Sequence, residues 1–477
     1  MTKHLRVAII GAGPAGIYAG NILKNQHPDV AIDLFDSLPA PYGLIRYGVA
    51  PDHPRIKGIV NSLHEMLGEG SIRFFGNVTF GRDLTLDDIH EHYHAVIFAT
   101  GAIKDAPLAI PGVDLDGSYG AADFVSWYDG HPDYPLTWPL EAAQVAVLGN
   151  GNVALDVARV LAKHAEDMLT TDIPANVYDG LKASPVTDVH VFGRRGPAQI
   201  KFTPIELREL GEIRDVDIVL YDEDFPDGWF NEDAEGVTNQ HRVMARIIEG
   251  WRTEQAERRE AGEPGASRRL HLHFFSSPVE VLGADGKVSG MRFERTALND
   301  DGASVHGTGE FVEYPLQAVY RAIGYFGSEL PDVPFDAKRG VVRNEGGRVV
   351  DESVGVRANL AGCAGFNPFS EGLRCADDFE ERRDGVGVAN DDSESTANVT
   401  RLGNDTQAPT GTDEGHCRFV GRGDDFDGLA AAGVRQDSAC EERTAKNSGG
   451  PNLSANFATS RSVNGALSSR THFSGVR

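Results

Sequence analysis

Two glycine-rich runs hold the residues of this chain best placed to do chemistry. Gly11-Ala12-Gly13-Pro14-Ala15-Gly16 follows the apolar run Val7 to Ile10 and precedes a helix-like stretch, Ile17 to Lys24. In a strand–turn–helix setting Gly11 permits the tight turn and Gly13 lets the backbone approach a diphosphate, while Gly16 lets helix pack closely on strand. The N–H groups and dipole at the helix start, around Pro14 and Ala15, then favour bound phosphate. Asp36 follows the next apolar run, Val30 to Phe35, where a carboxylate can accept hydrogen bonds from ribose hydroxyls.

Gly149-Asn150-Gly151-Asn152-Val153-Ala154 repeats the pattern after the apolar run Val145 to Leu148, and Ala154 still allows close packing at the third position. The end of the following strand is different. Gly193-Arg194-Arg195-Gly196 stands where the first unit has Asp36. A carboxylate would repel a phosphate there, whereas two guanidiniums can grip one with paired hydrogen bonds. The second unit therefore selects the 2′-phosphate of NADPH.

These turns need elements to hold them. Leu5 to Ile10, Val30 to Phe35 and Ala95 to Ala99 read as strands of one βα unit, and Pro107 to Gly117 reads as a linker. Gln144 to Leu148, the helix Ala154 to Ala165 and Val189 to Phe192 open a second unit. Alternation of strands and helices predicts parallel sheets covered by helices on both faces. Between about 270 and 320 the pattern becomes strand-rich, with Leu270 to Phe275 and Val319 to Ile323 as examples. From Asp377 onward Asp, Ser, Gly, Asn, Thr and Arg dominate without periodicity, a composition expected to be disordered.

A net charge of −26 argues against a nucleic-acid partner, which would need clustered Lys and Arg. No apolar run approaches the roughly 20 residues of a membrane span. Met1 to Arg6 leads straight into a strand without an apolar signal stretch, so a cytoplasmic protein is expected. The cysteines, Cys363, Cys375, Cys417 and Cys440, form no CxxC, which leaves no redox dithiol and no metal-ligand spacing.

The strand His94 to Gly101 (HAVIFATG), ending in Thr-Gly, resembles one found late in the FAD domain of two-dinucleotide-binding-domain flavoproteins. More specifically, the chain resembles the adrenodoxin-reductase-type ferredoxin–NADP(+) reductases from about residue 5 to about 352. The stretches that carry this are APYGLIRYGVAPDHP (40–54), FGNVTFG (75–81), GNGNVALDVAR (149–159), GRRGPAQIKFTPIELREL (193–210) and RAIGY (321–325). The resemblance implies an α/β fold of two Rossmann-like, doubly wound, three-layer domains of the glutathione-reductase kind. Their extents would be 1–106 with 320–375 for FAD and 107–319 for NADPH, followed by a tail over 376–477. FAD would be held by Ala15, Asp36, Leu44 and the backbone of Phe80. NADPH would be held by Asn150 to Val153, Arg194, Arg195 and Glu206. His53 and Glu209 match a pair near the hydride-transfer site, and a ferredoxin-type iron–sulfur protein would be the electron partner.

The sequence departs from the family at three single positions and in its C-terminal run. Asp36 stands for the usual Glu, Tyr42 for the usual Trp, and Ala106 aligns with an Arg that contacts the cofactor in some members. Beyond Leu360-Ala361-Gly362 the family closes its FAD domain with Gly-Trp and a Lys-Arg-Gly-Pro-Thr-Gly run, whereas this chain reads CAGFNPFSEGLRC. Loss of the motif, the arrival of all four cysteines and the change in composition coincide, which points to an altered reading frame from about residue 363. Two alternatives stay open: a flavoprotein subunit feeding another acceptor, as in glutamate synthase, and an inactive, FAD-deficient product.

Overall fold

The computed structural model describes residues 5–233 and 236–350, together with a strand at 360–362. The expected tail over 376–477, the altered stretch from residue 363, and most of the FAD segment beyond 350 lie outside the described residues.

Apolar runs of four or five residues become parallel strands because both of their faces are covered. In the first sheet Leu360–Gly362, Ala95–Phe98, Arg6–Ile10, Ala31–Phe35 and Ile72–Phe75 lie side by side and parallel, and Arg348–Val349 and Asn344–Glu345 extend one edge antiparallel. Val7, Ile9, Ile32 and Leu34 point to a core under the helices Pro14–Gln26 and Val60–Gly68. Ala8, Ile10, Phe35, Val96 and Phe98 point to the other face, against Phe80, Ile89 and Val342. Pro14 opens its helix at the position where a missing N–H costs nothing.

The second sheet repeats this order. Ser118–Gly120, Ala318–Arg321, Gln144–Leu148, Asp188–Phe192, Arg268–His273 and Val216–Leu220 are all parallel. The helices Asn152–Ala162, Pro204–Gly211 and Asn239–Ala261 contribute Leu155, Leu207 and Ile248 to the core on one face. The other face is covered by an antiparallel meander, Ser276–Ala284, Lys287–Leu298 and Val305–Tyr314, whose Met291 and Phe293 meet Leu148 and Phe192. This meander fills most of the strand-rich stretch expected between 270 and 320, while its two examples, Leu270 to Phe275 and Val319 to Ile323, fall largely on the parallel strands Arg268–His273 and Ala318–Arg321. Because Ala318–Arg321 pairs with Gln144–Leu148, the chain leaves the second sheet only after Arg321, a little later than the boundary at 320. Tyr325–Phe326 then pairs antiparallel with Lys104–Asp105, so the outgoing and returning segments run together.

Candidate functional site

The two glycine turns are built alike, bond for bond. Gly11 N–H donates to Phe35 O at 2.8 Å, and Gly149 N–H donates to Phe192 O at 3.0 Å. Ala99 N–H bonds Ile10 O, and Ala322 N–H bonds Leu148 O. Gly11 (φ 107°) and Gly149 (φ 151°) lie in the positive-φ region, and a Cβ on either would strike the carbonyl of Ala99 or Ala322. Each turn thus sits in the gap between its unit's first strand and the neighbour reached by crossing back, the switch point where ligands of doubly wound sheets bind.

The second glycines differ from the first in having room. A Cβ on Gly13 would come no nearer than 3.9 Å to anything, and one on Gly151 would meet nothing within 4 Å. Each initiates a helix, Pro14–Gln26 or Asn152–Ala162, so open space lies at a positive helix end. Gly16 packs its bare Cα against Gly11 O, and Ala154 fills the matching place in the second unit. Tyr42 (φ 91°) and Gly43 (φ 48°) turn the chain so that the half-exposed Leu44 follows directly on Gly43, which faces Gly13. Phe80 is buried against Phe98, under the first sheet.

Beyond the second strand of each unit the chemistry diverges. Asp36 N–H bonds Phe75 O, as Gly193 N–H bonds His273 O, so the two residues occupy matching positions. The Asp36 carboxylate accepts from Ala12 N–H at 2.7 Å and Leu38 N–H at 2.9 Å, which ties it to the first turn. Arg194 is exposed and Arg195 half-buried, and neither makes an ion pair among the described residues. Asn150 Nδ2 and Asn152 Oδ1 are buried without a hydrogen-bond partner. Such groups are costly unless a ligand satisfies them. The first turn therefore suits a diphosphate with a ribose beside a carboxylate, and the second suits a phosphorylated dinucleotide.

His53 belongs to a cluster that joins both units. Its Nε2 lies 2.7 Å from Asp156 Oδ1 and 3.3 Å from Glu206 Oε2, and its Nδ1 lies 3.2 Å from Glu209 Oε2. Burial alone would push the imidazole toward its neutral form, but hydrogen bonds to Asp156 and Glu206 outweigh this and raise it to about 10. Its Nε2 also lies 2.6 Å from Arg159 Nη2, and both nitrogens reach Asp156 Oδ1. Burial raises the Glu209 carboxyl, with His53 and Arg159 acting against it. The expected pair His53 and Glu209 is thus brought together. Glu206, expected at the nucleotide, faces His53.

Asp52, Asp156, Arg159 and Lys163 complete the cluster and were not singled out in the sequence. Arg159 takes both oxygens of Asp52, at 2.8 and 2.9 Å, and Lys163 Nζ reaches Asp52 Oδ2 at 2.9 Å. The available signal was Asp156, Arg159 and Lys163 recurring three and four residues apart along a largely apolar helix and its C-cap. A second set of ligand-type side chains, His190, His271 and His273, lies buried under the meander. Their rings stack, with His190 and His271 centroids 4.1 Å apart at 11°. Parallel rings cannot all aim in-plane lone pairs at one ion, so this is a packed stack rather than a metal centre.

Comparison with known proteins agrees with this geometry. Residues 5–190 match the family model described as pyridine nucleotide-disulphide oxidoreductase. NADPH-ferredoxin reductase FprA of Mycobacterium tuberculosis is 39% identical over 352 residues, 72% of this chain and 75% of that protein. The mitochondrial NADPH:adrenodoxin oxidoreductase of Arabidopsis thaliana is 39% identical over 362 residues, 74% of each, and the human one 38% over 357 residues, 73% of this chain and 72% of that protein. The solved structure of M. tuberculosis FprA in complex with NADPH aligns with a TM-score of 0.72 at 35% identity, covering 80% of this chain and 86% of that one. The chain belongs to the family of NADPH-ferredoxin and NADPH:adrenodoxin reductases.

Proposed function

We propose that this chain is an FAD-dependent ferredoxin–NADP(+) reductase that passes electrons between NADPH and a ferredoxin-type iron–sulfur protein. The observation that carries the reading is the opposite chemistry just past the second strand of each unit: Asp36 tied to the first turn, and Arg194 and Arg195, without an ion pair among the described residues, beside the second. The relatives' names, which couple NADPH with ferredoxin or adrenodoxin, support the acceptor class.

In this reading Gly11, Gly13, Pro14, Ala15, Gly16, Asp36, Leu44 and Phe80 hold FAD. Gly149, Asn150, Gly151, Asn152, Val153, Arg194 and Arg195 hold NADPH, with Glu206 behind them. The FAD half comprises 1–106 and the segment after Arg321, and the NADPH half comprises the residues between. Bound FAD supplies the chemistry that links a two-electron donor to one-electron steps. The protein's part is to place and charge the site. The helix starts neutralise the diphosphates, Arg194 and Arg195 discriminate the 2′-phosphate, and His53, held cationic between Asp156 and Glu209, fixes the local field. NADPH-driven cytochrome c reduction with and without ferredoxin tests the acceptor: strong dependence on ferredoxin supports the proposal, and ferredoxin-independent turnover at the same rate contradicts it. Beyond Gly362 the chain lacks the closing run of its relatives, so a colourless purified protein would favour the FAD-deficient alternative instead.

A further inference from the structure

Arg159 lies in the second turn of the helix that begins at the second glycine turn, and it is 2% exposed. A buried guanidinium is tolerated only when paired on several sides. Here Nε and Nη2 fork onto the two oxygens of Asp52, next to His53 in the chain. Nη2 also donates to Asp156 at 2.8 Å, and Asp156 in turn bonds His53 Nε2. Nη1 lies 3.7 Å from Glu206 Oε2 and has no hydrogen-bond partner. His53, Glu206 and Glu209 present ligand atoms close enough for a metal ion, but the guanidinium is already the cation among these carboxylates.

We propose that Arg159 is the positioning residue of the site: it pins the Asp52-His53 loop of the first unit to the nucleotide helix of the second. It thereby fixes the imidazole between Asp156 and Glu209. The chemistry requires an arginine, because a planar fork can hold Asp52 with two parallel bonds while a third N–H reaches Asp156, and an ammonium cannot. Asp52, Asp156, Glu206 and Glu209 face Arg159, Lys163 and His53, so the charges come close to balance only with His53 protonated. The inference rests on the proposed function for its kinetic part alone, since the geometry of His53 can be read without turnover.

The test compares the full-length wild type with Arg159→Lys, Asp52→Asn and the double variant that combines them, each checked first for a native thermal transition. Histidine-labelled NMR reports the His53 titration. In Arg159→Lys, which keeps the charge but loses the fork, it should fall by about one pH unit or more toward its ordinary 6.5, because a displaced imidazole loses the hydrogen bonds to Asp156 and Glu206 that raise it. Flavin reduction by NADPH should slow about tenfold with NADPH affinity within about twofold, and the double variant should be no slower than either single one. An unchanged His53 titration in a folded Arg159→Lys chain, or strictly additive losses, would overturn the proposal. If wild type shows no flavin reduction, the function proposal fails while the NMR result still decides the role of Arg159.

Discussion

Single residues carry the cofactor assignments. Arg194→Ala with Arg195→Ala should weaken NADPH by about 1–3 kcal/mol per lost charged hydrogen bond and leave NADH nearly unaffected. Equal losses with both nucleotides, measured as KM, would contradict the 2′-phosphate role. His53→Gln should slow flavin reduction between about tenfold and a hundredfold, the scale of one lost charged hydrogen bond, with little change in nucleotide affinity. The arginines and Asp36 were legible because they lie at a fixed place, directly after a strand, where only ligand chemistry distinguishes one side chain from another. Arg159 was not legible. A charged residue on a helix ordinarily reads as solvated, and its partner Asp52 lies in a different unit, so only folding brings the two together.

At the level of elements, turns and sheet faces make opposite demands on side chains. A methyl at Gly13 meets nothing nearer than 3.9 Å and one at Gly151 nothing within 4 Å, so Gly13→Ala and Gly151→Ala should leave thermal stability nearly unchanged while weakening FAD retention and NADPH binding respectively. A matched loss of stability would show that these glycines serve the fold. Gly11→Ala, by contrast, should disrupt the turn itself, because its methyl would collide with Ala99 O. The histidines on Asp188–Phe192 and Arg268–His273 occupy alternate positions, which in sequence reads as a solvent-facing side. The meander covers that side instead. His190 Nδ1 bonds His273 Nε2 at 3.0 Å, and His271 lies between Asp188 and the Tyr221 hydroxyl, with Arg269, Arg295 and Tyr314 nearby.

Burial lowers all three histidines, His190 to about 3. A histidine depressed in the fold contributes stability above its ordinary 6.5 and loses it as pH falls toward the folded value. His53 has the opposite sign: raised to about 10, it contributes fully below 6.5 and loses that contribution as pH rises through 10. Unfolding free energy should therefore decline on both sides of neutrality. In denaturant titrations His53→Gln should flatten the alkaline decline, and His190→Phe, which keeps a ring in the stack, should flatten part of the acid decline. Unchanged slopes in both variants would contradict these assignments.

At the largest scale, the described residues form two units of one construction. The central parallel strands follow the same order, and the bonds at Gly11 and Gly149, at Asp36 and Gly193, and at Ala99 and Ala322 match one for one. That duplication was readable in sequence because each unit starts with an apolar run, a glycine turn and a helix. The meander and the long helix Asn239–Ala261 were not placed from sequence, since alternating strands and amphipathic helices do not reveal which sheet face they will cover. Although the chain carries a net charge of −26, Arg194 and Arg195 make no ion pair among the described residues, so NADPH binding should depend on ionic strength through this local pair.

If one unit holds FAD and the other NADPH, electrons pass between them. Anaerobic titration of the purified chain with NADPH and, separately, with NADH reads that transfer. The expected protein has visible flavin bands that are bleached stoichiometrically by NADPH and only at much higher concentration by NADH. A colourless protein, or flavin bands that NADPH leaves unchanged, would contradict it.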